Sequence, residues 1–196
     1  MTEGVFEDRA NLHDPGGRSL LAMPPDVRAH AVFSACGRYR QGLVLDWSLP
    51  LAPQEENTVL FIGMNPSQAS HTVLDPTCAR ELGFSRRWGF TRMVKGNVLD
   101  LRCTDPSKLP DPAEACSTAN IPFLSGAVGQ ASKVVLCFGR LHERYREIVR
   151  ASLDAVLEAC RETGITPECF GLNADGSAKH PLYLRSDTPT RPFPVP

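Results

Sequence analysis

The run Thr58-Val59-Leu60-Phe61-Ile62-Gly63 constrains the fold more than any other part of the chain. It is short and apolar and has no polar face, which is the pattern of a strand buried on both sides. Lys133-Val134-Val135-Leu136-Cys137-Phe138-Gly139 repeats it. Gly96-Asn97-Val98-Leu99-Asp100-Leu101 and Glu168-Cys169-Phe170-Gly171-Leu172 supply two more candidate strands. Between them lie helical patterns at 76–88, within 117–131 and at 141–160. In the last of these Leu141, Tyr145, Ile148, Val149, Ser152, Val156 and Cys160 recur at three- and four-residue steps. Strands alternating with helices imply right-handed crossovers, hence an α/β protein with a central, mainly parallel four-stranded sheet.

Residues 30–48 alternate apolar and polar around Gly37 and Gly42, which predicts an N-terminal hairpin. Residues 1–28 are polar, carry Gly16-Gly17 and Pro24-Pro25, and read as a flexible arm. Residues 29–186 read as one α/β domain, and 187–196, with Pro189, Pro192, Pro194 and Pro196, as an irregular tail. A chain of 196 residues suits one compact domain.

Several function classes lose support at once. No run of 18 apolar residues exists, so no membrane partner is expected. Met1-Thr2-Glu3-Gly4-Val5-Phe6-Glu7-Asp8 is acidic and unlike a signal peptide. The 7 cysteines are odd in number, irregularly spaced and without C-x-x-C, so reduced structural thiols in a cytoplasmic protein are expected. His13, His30, His71 and His142 show no metal-binding spacing, and no metal or other cofactor is expected. The phosphate-loop, dinucleotide and hydrolase-elbow motifs are all missing from the sequence.

In parallel sheets ligands bind beyond the carboxyl ends of the strands. That rule directs attention to residues 63–67, 101–104, 139–142 and 173–183. The first follows the leading strand as Gly63-Met64-Asn65-Pro66-Ser67. Gly63 permits a turn and a close ligand approach. Asn65 offers a donor and an acceptor to a base edge or a water, or else caps a helix that starts at Pro66. In Asp75-Pro76-Thr77-Cys78-Ala79-Arg80 the carboxylate can act as a general base or cap the helix. Arg80, one turn on and near Thr77, can serve a phosphate or a carboxylate, or lie in solvent. Asn97 within a strand pattern needs partners, either a ligand or a neighbouring strand. His180-Pro181-Leu182-Tyr183 follows the last strand. Its imidazole can donate to a developing anion or simply order the loop. Leu182 and Tyr183 can wedge against or stack on a base.

Taken together and in order, these segments resemble the bacterial and phage domain-of-unknown-function family numbered sixteen-forty-three. The resemblance rests on Ile62 to Ser67, Asp75-Pro76-Thr77 with Arg80, Arg87-Trp88-Gly89-Phe90, Gly96-Asn97-Val98 and His180 to Leu184. It spans about residues 30–186. A wider similarity is to the uracil-DNA glycosylase superfamily. Gly63-Met64-Asn65-Pro66 is similar to the first motif of its mismatch-type branch, and His180-Pro181 to its late loop. Pro66-Ser67 stands where that branch has Pro-Gly, and Leu182-Tyr183 where others carry a serine-containing wedge. The similarity implies a three-layer α/β/α fold, base flipping and N-glycosidic cleavage. The first loop would position water, and the late histidine would stabilise the departing base.

The expected function is therefore a nucleobase-recognising, glycosylase-like enzyme, with Asn65, Asp75 and His180 catalytic. Gly63, Met64, Pro66, Ser67, Thr77, Arg80, Asn97, Pro181, Leu182 and Tyr183 would bind substrate. The alternative is a non-catalytic nucleotide- or nucleic-acid-binding module of the same fold. The formal charge of −1 argues against bulk coating of nucleic acid. It conceals a segment, 80–102, with six basic residues against two acidic, and a stretch, 1–56, with five against eight. The basic segment is either a phosphate-contacting face or a solvated helix face. The oligomeric state cannot be read from the sequence.

Overall fold

The computed structural model describes residues 20–48, 57–103, 109–140 and 142–194. Its centre is a sheet of seven strands in the order β2-β3-β6-β4-β7-β8-β9. The strands are β2 (Arg28–Phe33), β3 (Arg40–Asp46), β4 (Thr58–Gly63), β6 (Arg92–Asn97), β7 (Lys133–Leu136), β8 (Glu168–Cys169) and β9 (Arg191–Pro192). A two-stranded sheet pairs β1 (Leu21–Ala22) antiparallel with β5 (Val73–Leu74). Three helices complete the fold: α1 (Pro76–Arg87), α2 (Asn120–Val128) and α3 (Arg146–Thr163).

The parallel strands β6, β4, β7 and β8 are contiguous. They are the four strands expected from the apolar runs, but the sheet does not stop at four. The hairpin β2–β3 joins it through antiparallel pairing of Leu43 with Lys95 and Leu45 with Met93. At the far edge β9 pairs antiparallel with β8. Pro192 is tolerated there because an edge strand need not donate a hydrogen bond at every residue. Residues 187–196 thus include a strand, and of the expected arm 1–28, residues 20–28 hold β1 and the start of β2. Residues 1–19 lie outside the described part.

Every residue of β4 is buried. Leu60 and Ile62 enter a core shared with α2 and α3, including Leu124, Val149 and Val156. Val59 and Phe61 enter a second core with Leu82 and Phe84 of α1. Helices therefore cover both sheet faces, which is why β4 shows no polar alternation. Fully burying each such side chain contributes roughly 1.5–3 kcal/mol.

Two boundaries differ from the sequence expectation. The second parallel strand is Arg92–Asn97 and not 96–101. Val98, Leu99 and Leu101 are buried, but in the segment that leaves the strand, and an apolar run reports burial without specifying strand. The last helix begins at Arg146, after a 3-10 turn at Glu143–Tyr145, and ends at Thr163 on Gly164 in the left-handed conformation, φ 72°. Its expected first residue, Leu141, lies outside the described part. No described helix is long and apolar enough to cross a membrane.

Candidate functional site

A cavity of about 320 Å³ opens beyond the carboxyl ends of the parallel strands. The β4 exit supplies Met64, Asn65 and Ser67, and the start of α1 supplies Asp75, Pro76 and Thr77. The β7 exit supplies Phe138, Gly139, Arg140 and His142, and the late loop supplies His180, Leu182 and Tyr183. Residues far apart in sequence meet here because parallel strands deliver their exits to one edge.

Asn65 is held by two backbone carbonyls. Its Nδ2 donates to Cys103 O at 2.6 Å and to Pro66 O at 3.2 Å. Both neighbours are acceptors, so the amide orientation is determined and Oδ1 is left as the group that can face a ligand. No helix follows Pro66, so Asn65 is not a helix cap. The clamp is extended by Cys103 N donating to Pro66 O at 2.8 Å and Leu99 N to Met64 O at 2.8 Å. The segment leaving β6 thus fixes the segment leaving β4.

Asp75 does cap α1: its Oδ1 accepts from Cys78 N at 2.8 Å, with Pro76 in the first turn. The second carboxylate oxygen has no hydrogen bond within the described residues, and Asp75 lines the cavity. The two readings of Asp75 are therefore compatible, one for each oxygen.

His180 precedes a 3-10 turn at Pro181–Tyr183, and its Nδ1 accepts from Leu182 N at 3.4 Å. In the neutral ring that places the proton on Nε2. His142 is built the same way. It precedes the turn Glu143–Tyr145, and its Nδ1 accepts from Arg144 N at 3.2 Å. Gly139, at φ 75°, brings the β7 exit against the late loop, and a Cβ there would lie 3.3 Å from His180 Cβ. Tyr145 closes one wall and donates its hydroxyl to Leu109 O and Pro110 O, both at 2.7 Å. Burial, against the nearby Arg144 guanidinium, raises that hydroxyl above its ordinary pKa, so it stays a donor. Tyr183, at the cavity, is 86% exposed. An aromatic ring left in water beside a cavity has a free face for stacking.

Of the residues expected to bind substrate, Met64, Ser67, Thr77, Leu182 and Tyr183 line the cavity, and Gly63, Pro66, Arg80, Asn97 and Pro181 do not. Gly63 packs under its neighbours: a Cβ there would lie 2.6 Å from Lys95 Nζ and 2.9 Å from Asn97 Oδ1. Arg80 donates to Leu184 O and lies 5.7 Å over the Phe84 ring, tying the late loop to α1. Asn97 is 1% exposed, and neither amide atom has a partner among the described residues. Its backbone carbonyl accepts from Asn120 Nδ2 at 3.0 Å.

The basic segment 80–102 does not form one face. Besides Arg80, Lys95 is buried against Glu81, Arg86 pairs with Asp26 at 2.8 Å, and Arg102 is 6% exposed and stacks 4.9 Å over Phe33. Residues 139–142 are a strand exit by the order of the elements, but no motif marks Arg140 or His142. Tyr145 fits the periodicity of a core helix, and Cys103 falls in the expected exit 101–104 with no motif to single it out. Among the described residues no three His, Cys, Asp or Glu side chains are placed to hold a metal ion.

No curated protein matches the chain, and no solved structure does. The model of the family described as "Protein of unknown function (DUF1643)" matches residues 43–182, and the chain belongs to that family.

Proposed function

We propose that the chain is a nucleobase-recognising enzyme that cleaves an N-glycosidic bond. One observation carries the reading: Asn65, Asp75 and His180, from three separate segments, line the same cavity. Asn65 offers an acceptor oxygen, and Asp75 offers another. Two acceptors are what a water needs to be oriented by its two hydrogens. His180, with its proton on Nε2, is a donor for the base nitrogen that gains negative charge. In the reaction, water oxygen forms the bond to the sugar carbon as the carbon–nitrogen bond breaks. The bonding pair leaves with the base, and the water proton passes to the Asp75 carboxylate. Tyr183 stacks on the base or its neighbour.

The similarity of Gly63-Met64-Asn65-Pro66 and His180-Pro181 to uracil-DNA glycosylase motifs supports the same reading. Helices on both faces of the sheet are compatible with a three-layer α/β/α fold. A second reading, a non-catalytic nucleotide- or nucleic-acid-binding module, is favoured by the helix cap. Asp75 has one oxygen engaged there, which leaves a single carboxylate oxygen for any other role. Incubation with nucleotides and with DNA carrying normal, deaminated and alkylated bases, followed by chromatography of released base, separates the two. Base release that Asn65→Ala and His180→Ala abolish, with binding retained, supports the enzyme. Binding without release from any member of the panel supports the module.

A further inference from the structure

We infer that Arg140 and His142 form a phosphate subsite, and that the ligand of the cavity is a free nucleoside monophosphate and not a base within a nucleic-acid strand. The inference rests on the nucleobase reading above and narrows its substrate class.

The two side chains stand two residues apart where β7 ends, directly after the turn at Gly139. Both line the cavity, on a different loop from Asn65 and Asp75. The His142 ring accepts through Nδ1 from Arg144 N, which leaves Nε2 as its N–H donor. The Arg140 side chain is 88% exposed, and Asp175 Oδ2 lies 3.8 Å from its Nε. That separation is too long for a hydrogen bond, so the guanidinium is not locked to it. An imidazole N–H and a guanidinium fork together offer donors only, which is the chemistry of a phosphate cradle. The opposite loops offer the acceptors Asn65 Oδ1 and Asp75. A nucleotide carries both complements, donors on its base and acceptors on its phosphate.

The charge census decides between a free nucleotide and a strand. A protein that grips a strand neutralises several phosphates with several cations. Arg140 is the one Arg or Lys lining the cavity among the described residues. None of the six basic residues of 80–102 lines the cavity, and four of them are engaged elsewhere: Arg80 with Leu184 O, Arg86 with Asp26, Lys95 with Glu81 and Arg102 with Gly37 O. What remains at the site matches one phosphate. A cavity of about 320 Å³ also lies at the small end of the range for small-molecule sites.

Calorimetry on the full chain tests this with four probes: 2′-deoxynucleosides, their 5′-monophosphates, inorganic phosphate, and single- and double-stranded oligonucleotides. One monophosphate is expected to bind roughly 10- to 100-fold tighter than its nucleoside, the gain of a charge-assisted hydrogen-bond pair. Arg140→Gln/His142→Gln, two surface changes whose folding is checked by circular dichroism, is expected to erase that difference. Oligonucleotides are expected to bind no tighter than the monophosphate. A nucleoside that binds as well as its monophosphate overturns the phosphate subsite and leaves the nucleobase reading standing. Oligonucleotides that bind tighter, with affinity falling steeply with salt, overturn the free-nucleotide assignment. Failure of nucleosides, monophosphates and oligonucleotides alike to bind overturns the nucleobase reading itself, and the inference with it.

Discussion

Lys95 Nζ lies 2.5 Å from Glu81 Oε1 in the layer between α1 and the sheet, with the two side chains 5% and 0% exposed. Cys137 Sγ is 3.9 Å from the ammonium and 3.4 Å from the carboxylate. A buried ion pair is costly to form and costlier to break, because removing one partner leaves a bare charge in the core. Lys95→Ala or Glu81→Ala should therefore lower stability by roughly 3–5 kcal/mol. The double substitution Lys95→Met/Glu81→Leu should recover most of that loss. Urea denaturation of the four proteins measures it, and a double variant no better than the singles would contradict the account.

The same pair predicts an alkaline limb. Burial alone pulls Lys95 down, but the Cys137 sulfur and the Glu81 carboxylate beside it outweigh burial and hold the ammonium above the ordinary lysine pKa. A raised amine contributes stability that is complete below its unfolded value, about 10.4. That stability is lost as pH climbs toward the folded value. Between about pH 9 and about pH 11, either side of the ordinary lysine value, the urea midpoint of the wild type should fall more than that of Lys95→Met/Glu81→Leu. Parallel decline in both would remove Lys95 from the explanation.

Asp75 lines the cavity and has one oxygen in the helix cap, and two substitutions separate the cap from the carboxylate charge. Asp75→Asn keeps a side-chain oxygen for Cys78 N, so stability should stay within a few tenths of a kcal/mol of wild type. Asp75→Ala should cost about 1 kcal/mol. Base release should be lost in both. Thermal unfolding and base-release rates read the two effects independently, and an active Asp75→Asn would exclude the carboxylate as base.

Asn65 faces two carbonyl oxygens with its amide nitrogen. Asn65→Ala removes those bonds and should cost about 1 kcal/mol. Asn65→Asp is nearly isosteric, yet it puts oxygen against Cys103 O and Pro66 O. It should be the more destabilising of the two at neutral pH. Denaturant midpoints at about pH 7, where an aspartate at its ordinary pKa is ionised, measure the order, and a reversal would mean that the 64–67 segment reorganises freely.

Gly139→Ala faces two obstacles. Its φ of 75° costs a non-glycine residue roughly 1–2 kcal/mol, and the new Cβ would press on His180 Cβ at 3.3 Å. Lower stability and weaker ligand binding should appear together. Calorimetric binding of the preferred nucleotide, compared with a Gly164→Ala control of similar φ, 72°, far from the cavity, distinguishes displacement of His180 from general strain.

The residue order alone determined the centre of this protein. Residues 59–62 and 134–136 are apolar throughout and are best satisfied between two helical layers, so strand, helix and parallel pairing were legible there. The strand exits, and hence the place of the cavity, followed from parallel pairing. Local sequence could not decide the use of a polar side chain, because that depends on what packs opposite it. Asn97 and Arg80 sit in motifs as suggestive as Asn65, yet one is sealed inside the sheet and the other ties down the late loop. Arg140 and His142 have no motif, yet the turn at Gly139 carries both to the cavity. Tertiary structure likewise drew Arg80, Arg86, Lys95 and Arg102 of the basic segment into internal contacts, because each met a carbonyl, a carboxylate or a ring from another part of the chain. Periodicity reports how much of a side chain must leave water. Which groups then meet is set by long-range packing, and no window of sequence contains it.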